Sequence, residues 1–447
     1  MRRPRLLPIL PLCHVAASNP HGRAPLCNLG RSLAPSNRSL ATCLDSHIQA
    51  PHAWHPWTHP PHCLDLSHLD SDADSNPPYC VFTSAASPSP HPNRGGGGGF
   101  SVITTPDEAS AALNPLRHAL DGPFFAPERL YLPRPYAVKD IPGKGKGAIA
   151  TRRIEKGKAI LVDPVRVLAA VGYPSEVRRE EVRGLLKEAV ERLREPREVL
   201  ELARKGEGGE EDLGSVVEDV MVTNTFGLTV GGVDYMGLFA DLARFNHDCR
   251  PNAFIHFSQT TLAMTVWAAR DIEEGEEITI TYSPAGTPSK ERRDMLERVW
   301  GFQCQCSLCT ASAAEIEASD ANRDEIRTLP DKIFELAQKG GFDKALKSAE
   351  RLFRLAEQEG MAESVTGDIL EVVARLYYLV GDLDKALEWT LKVQHDINGY
   401  GVPGELGEQK LKMLDGPCCG WVAMRAFDAS MRNRADIADV TVPDQEL

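Results

Sequence analysis

The run Arg244-Phe245-Asn246-His247-Asp248-Cys249-Arg250-Pro251-Asn252 decides how this chain is read. It sets an amide, an imidazole, a carboxylate and a thiol side by side and closes them with Pro-Asn, a pair that favours a bend over a continuing helix or strand. Alone, the run fits either a loop held by its own satisfied side chains or a loop that meets a ligand. Its surroundings narrow the choice. Strands are expected at 253–257 and 262–268, then the turn Ile272-Glu273-Glu274-Gly275, then the strand Ile278-Thr279-Ile280-Thr281-Tyr282, because β-branched and aromatic residues alternate there between turn formers.

Upstream, Tyr136-Ala137-Val138-Lys139-Asp140-Ile141 leads into Gly143-Lys144-Gly145-Lys146-Gly147, where three glycines at alternate positions let the backbone approach something closely. This is not a phosphate-binding P-loop, since no Gly-Lys-Ser/Thr follows. Nor is it a dinucleotide fingerprint, since a strand rather than a long helix comes next. The turn Ile154-Glu155-Lys156-Gly157, of the same kind as the one at 272–275, introduces the strand Ala159-Ile160-Leu161-Val162. Between the two β stretches, Val182, Leu185, Leu186, Ala189, Val190 and Leu193 recur at helical spacing among Arg and Glu, so a helical insertion at about 172–222 is expected inside a mainly β domain.

Downstream stands Cys304-Gln305-Cys306-Ser307-Leu308-Cys309. Thiols this close cannot easily pair with one another, but they suit three corners of a tetrahedral zinc site. Cys249 is the only other cysteine in this part of the chain, which makes Cys249, Cys304, Cys306 and Cys309 the candidate ligands. From about 325 the pattern is helical, and Asp343-Lys344-Ala345-Leu346 recurs as Asp384-Lys385-Ala386-Leu387, each after a glycine turn. That looks like antiparallel helix pairs of tetratricopeptide type. The adjacent Cys418 and Cys419 read as structural.

Together these motifs resemble the SET-domain protein-lysine methyltransferases, in the branch whose SET domain is split by a helical insertion and followed by a cysteine-rich post-SET segment and a helical tail, as in MYND-SET proteins. Two departures are visible: Asp248 stands where Ser is usual, and the MYND zinc module is missing. The resemblance implies an α+β chain: a mainly-β SET fold at 131–283, a post-SET zinc segment at 284–312 and a helical domain at 320–447. It implies S-adenosylmethionine and a zinc ion as cofactors and a lysine side chain of a histone or non-histone protein as substrate. Lys144, Gly145, Asn246 and His247 would hold S-adenosylmethionine, with Asn224 a looser match. Tyr282 would be the active-site tyrosine where the substrate amine meets the cofactor's methyl group, and Phe302 would close one side of the cofactor or lysine channel. The zinc would be structural. A catalytically weak SET scaffold that binds partners through the tail is the alternative, and retention of Tyr282, Asn246 and His247 argues against it.

The rest of the chain excludes more than it assigns. Of 447 residues, 25% are charged and 42% hydrophobic, and a formal charge of −13 argues against direct nucleic-acid binding by the whole chain. No apolar run approaches the roughly 18 residues of a membrane span. Residues 1–44 lack Asp and Glu, and Met1-Arg2-Arg3-Pro4-Arg5 precedes an apolar run to Leu12 and then Ala16-Ala17-Ser18. Residues 1–50 therefore read as a secretory signal, a mitochondrial presequence or a disordered tail, whereas the family resemblance points to nucleus or cytoplasm. In the extension at 51–130, short strands are expected at Tyr79–Thr83 and Phe100–Thr105. Cys63 and Cys80 are candidates for a disulfide if the chain is secreted, and idle thiols otherwise.

Overall fold

The computed structural model describes residues 57–64, 78–84, 99–109, 134–171, 177–203, 212–259, 262–362 and 367–400. The expected targeting segment, Cys13, Cys27 and Cys43 near the N-terminus, and Cys418 and Cys419, lie outside the described residues.

Three short strands open the described chain: β1 (His62–Cys63), β2 (Cys80–Ser84) and β3 (Phe100–Thr104). β2 is buried along its whole length and β3 nearly so, which fits their compact apolar and hydroxyl sequences. Cys63 and Cys80 face each other across the antiparallel β1–β2 pair and form a disulfide. There follow β4 (Tyr136–Ile141), β5 (Gly145–Ala150), β6 (Ala159–Pro164) and β7 (Val167–Ala170). β3 lies parallel to β7, with Val102 opposite Leu168. The extension thus contributes strands to the sheet that holds β7, and the expected boundary at 131 runs through shared structure.

The insertion is helical as expected: α1 (Arg179–Glu191), a single turn α2 (Arg197–Leu200) and α3 (Leu213–Asn224). Leu185, Leu186, Ala189 and Val190 of α1 are buried, while Arg179 and Arg183 both reach Glu218 of α3 at 2.7 Å on the outer side. Then come β8 (Thr225–Val230) and β9 (Val233–Leu238), joined by Gly231-Gly232, both with positive φ as a two-residue hairpin loop requires. The first sheet runs β1-β2-β3-β7-β9-β8.

After a single 3-10 turn (Leu242–Arg244) come β10 (Asn246–His247), β11 (Ala253–Ser258), β12 (Ala263–Ala268) and β13 (Glu277–Ile280). They complete a sheet ordered β10-β13-β5-β4 and another ordered β11-β12-β6. The two similar turns seen in sequence meet in space: Ile154 and Ile272 exchange both backbone hydrogen bonds at 2.9 Å, tying the start of β6 to the approach to β13. One apolar core, including Ala148, Ile160, Val167, Tyr235, Phe245, Val266, Ile278 and Ile280, runs beneath all three sheets and the insertion. Burial of this kind is worth roughly 25 cal/mol per Å² of apolar surface and dominates the stability of such a unit.

The remaining helices are α4 (Ser289–Trp300), α5 (Ala313–Gln338), α6 (Phe342–Gln358), α7 (Gly367–Val380) and α8 (Leu383–Tyr400). Gly340 and Gly381, both at positive φ, end α5 and α7, as left-handed C-terminal caps do. The repeated Asp-Lys-Ala-Leu therefore opens the second helix of each pair, and its alanines, Ala345 and Ala386, are fully buried. A separate core of Ile326, Ile333, Leu346, Leu352, Val373 and Leu376 holds the tail together.

Candidate active site

Asn246 and His247 form the whole of β10, lying parallel to Thr279 and Ile280 of β13. Two residues make a weak strand, and side chains complete the pairing. The Asn252 amide acts as a surrogate strand residue: it donates to Glu277 O at 2.8 Å and accepts from Thr279 N at 2.8 Å. This is why a Pro-Asn bend follows the motif.

Glu277 joins the glycine loop to the motif. Its Oε1 accepts from Asn246 Nδ2 at 2.9 Å, and its Oε2 accepts from Lys144 Nζ at 2.6 Å. Asn246 Nδ2 also reaches Lys146 O at 3.3 Å, so what Asn246 has left for a ligand is its carbonyl oxygen, an acceptor. Gly147 permits the approach, because a Cβ there would lie 2.6 Å from Asn246 Nδ2 and 2.3 Å from Ile141 Cδ1. Lys144 closes the hairpin turn between β4 and β5, and Gly145, at φ +72°, opens β5 opposite Ile141. An amino-acid group carries the same two charges as the Lys144–Glu277 pair, so the donor set fits the zwitterionic end of S-adenosylmethionine.

Tyr282 is tied at three points. Its backbone N–H donates to His247 Nδ1 at 3.0 Å, its hydroxyl donates to Phe245 O at 2.8 Å, and its ring centroid lies 5.1 Å from that of Trp300. Burial, and then Glu277, pushes its phenol above the ordinary value, so it stays protonated. His247 is spent inside the protein: Nδ1 accepts from Tyr282, which places the ring proton on Nε2, 3.3 Å from Cys249 Sγ. Burial lowers its pKa to about 4, keeping it neutral. His247 therefore has its backbone, not its ring nitrogens, to offer a cofactor. Phe302 stands with its ring centroid 6.3 Å from His247, on the same aromatic wall.

Asn224 is placed differently. It ends α3 and donates from Nδ2 to Val220 O and Thr223 Oγ1, at 3.0 and 2.8 Å. The link from α3 to the site runs instead through Trp300, whose Nε1 donates to Thr223 O at 3.0 Å. Sequence reasoning missed Trp300, although an aromatic residue two positions before Phe302 was a usable signal.

The four cysteines converge. All four Sγ atoms lie within 4.8 Å of one another, with Cys249 3.5 Å from Cys309 and 4.0 Å from Cys304. Zinc–sulfur bonds of about 2.3 Å in a tetrahedron would put the sulfurs about 3.8 Å apart, so the cluster fits such an ion. Crowding of the thiols divides their protons: contact with Cys249 and Cys304 pushes Cys306 down to about 5, while contact with Cys304 pushes Cys249 up. Asp248 accepts the Arg250 N–H at 2.8 Å, a bond a serine hydroxyl can also accept.

The β fold is split by α1–α3 and lays an Asn-His pair beside β13, with Tyr282 two residues beyond that strand; residues 145–283 of it match the family model described as SET domain. Among relatives, histone-lysine N-methyltransferase set5 of Schizosaccharomyces pombe is 31% identical over 182 residues, covering 40% of this chain and 55% of that protein. Human N-lysine methyltransferase SMYD2 is 27% identical over 175 residues, covering 35% of this chain and 39% of that protein. Human histone-lysine N-methyltransferase SMYD3 is 40% identical over 74 residues, covering 17% of each chain. The match thus spans about half the length of the first relative and less of the other two.

Proposed function

We propose that this chain is an S-adenosylmethionine-dependent protein-lysine N-methyltransferase whose Cys249, Cys304, Cys306 and Cys309 hold a structural zinc ion. The observation that carries the reading is the threefold tie of Tyr282 to Phe245, His247 and Trp300 within a SET domain. Three relatives bear names of lysine methyltransferases, two of them of histone lysines, which supports a lysine in a histone or another protein as substrate.

S-adenosylmethionine supplies an electrophilic methyl group on a sulfonium. Lys144, Gly145 and Asn246 are the groups that would hold its amino-acid end, with the backbone of His247 beside them. A lysine, with a reference pKa of about 10.4, must be neutral to attack, and the wall of Tyr282, Trp300 and Phe302 disfavours the ammonium by removing water. Tyr282 is not a base, since it keeps its proton. That proton is committed to Phe245 O, so the phenolic oxygen presents its lone pairs and can accept an N–H of the amine, turning the nitrogen's own lone pair toward the methyl group. Catalysis then rests on alignment and exclusion of water. Four thiolates leave zinc no open position, so its part is to hold the Cys249 loop against the post-SET segment.

The test is labelled-methyl transfer from S-adenosylmethionine to lysate proteins by the full chain and by Tyr282→Phe, with cofactor binding measured calorimetrically on both. Label only with the intact tyrosine is expected. Cofactor binding by both proteins without label from either, on lysate and on purified histones, would overturn the reading in favour of a binding scaffold.

A further inference from the structure

Among the described residues, two arginines are 1% exposed, and both point at one cysteine. Arg292 of α4 donates from Nε to Cys249 Sγ at 3.0 Å, and Arg323 of α5 donates from Nη2 to Cys249 O at 2.7 Å. Arg323 Nε also reaches Glu359, just beyond α6 and itself 1% exposed, at 3.3 Å. Ser319 and Asn322 donate to the same carboxylate at 2.6 and 3.0 Å, and Arg250, next to Cys249, reaches it at 3.3 Å. Gly286 packs so tightly under α5 that a Cβ there would lie 3.0 Å from Arg323 O. The tail therefore meets the catalytic unit through buried charge, centred on a candidate metal ligand.

A buried charge must be balanced nearby or it is costly. Arg323 and Glu359, each 1% exposed, pair with one another at 3.3 Å, which leaves Arg292 facing the sulfurs. Four thiolates around a divalent ion would carry two negative charges and supply its counter-charge.

We propose that Arg292 is the counter-charge of the four-thiolate site and that Arg323, held on Cys249 O and on Glu359 at once, ties that site to the tail, so that metal occupancy and docking of α5–α8 are one coupled equilibrium. The proposal rests on the zinc reading above. Coupling of this kind is reciprocal: an ion that tightens the tail is itself held more tightly by the docked tail. Arg323 reaches Cys249 through its backbone oxygen, and its Nη1 lies 3.7 Å from Met361 Sδ, so it acts on the cysteine loop as a positioning residue.

The test uses the full chain, with zinc content by elemental analysis, zinc release to a chromophoric chelator, and hydrogen exchange of α6 and α7. Removing zinc from the wild type is expected to raise exchange in α6 and α7 while the β7–β9 pair stays protected. Arg323→Met is expected to weaken zinc retention about 10- to 100-fold, the range for outer partners of metal ligands. Arg323→Lys, which keeps the charge but loses the fork, should fall between. Glu325→Gln breaks the exposed Glu325–Arg351 pair that also joins α5 to α6, and it should leave zinc release unchanged. Zinc lost with tail exchange unaltered, or Arg323→Met releasing zinc no faster than Glu325→Gln, would overturn the coupling alone. A full chain that binds no zinc at all would overturn the metal reading beneath it.

Discussion

The two sides of Cys249 are built on different physics. On one side Asn246, His247 and Tyr282 are fixed by backbone hydrogen bonds and by amide surrogates for them, with Asn252 completing β13 and Phe245 O holding the tyrosine hydroxyl. On the other side Arg292, Arg323 and Glu359 join elements far apart in sequence by buried charge. A backbone frame set in an apolar core forms whenever the chain folds, since its groups would otherwise be unsatisfied. A charged junction forms only when its charges match. The molecule thus has a part whose geometry is fixed by folding and a part whose geometry is conditional.

The conditional side offers the largest effect. Cys306→Ser removes one corner of the candidate centre, and structural zinc is commonly bound with about 10–16 kcal/mol. Loss of stoichiometric zinc and a markedly lower melting temperature are expected. An unchanged melting curve with no zinc in either protein would remove the contrast between the two sides.

On the fixed side, Tyr282→Phe deletes a hydroxyl whose bond to Phe245 O contributes about 1 kcal/mol to stability. Turnover should fall about 10²- to 10³-fold, as when one positioned polar group is removed from an active site. Melting should hardly change. A large drop in melting temperature would mean that the tyrosine is chiefly a structural tie. Gly147→Ala comes next: the added methyl collides with Ile141 and Asn246, and overpacking typically costs about 1–3 kcal/mol. Calorimetry should show weaker cofactor binding, because Asn246 must move. Unaltered affinity would place the cofactor elsewhere.

The smallest effect sharpens the comparison from inside the β unit. Asp163 Oδ2 accepts from Asp241 N and Leu242 N, both at 2.8 Å, while its Oδ1 is buried without a partner. Burial, and then Asp241, raise its pKa from 3.8 to about 7. The folded state then holds a proton that the unfolded chain gives up near 3.8, so stability from this group is present below that pH and is lost as the pH rises toward 7. Asp163→Asn should therefore melt slightly higher than the wild type at pH 8 and level with it at pH 4. A lower melting point at pH 8 would show that the ionised carboxylate is needed to cap the turn before Phe245.

Much of the fixed side was legible in sequence because its signals are local. The glycine loop, the Asn-His run, the helical insertion and the strand before Tyr282 each announce themselves within a dozen residues, although that strand ends at Ile280, two residues short of the tyrosine. The cysteine set was legible because a tetrahedron needs a fourth thiol and one stood nearby. The conditional side was not. Arg292 and Arg323 look like any charged residue on a helix, and only their burial against Cys249 sets them apart. The pairing of β3 with β7 was hidden for a similar reason, since no local pattern says which strand a short apolar run will join. At Asn224 the looser sequence match meets an amide nitrogen bonded to its own helix, with the carbonyl oxygen left as the group that could serve a ligand.

The sheet order β10-β13-β5-β4 places the latest of these strands to be synthesised between two earlier ones. β4 and β5 can close as a local hairpin, but β10 is two residues long and has no other neighbour in that sheet. During synthesis the Asn246-His247 pair therefore waits, unformed, until residues 277–282 leave the ribosome. Long-range parallel pairing of this kind is slow to form. The β4–β5 hairpin can close before the Asn246-His247 pair is seated, and any chain that stops short of β13 forfeits the pairing of the asparagine and histidine along with the tyrosine.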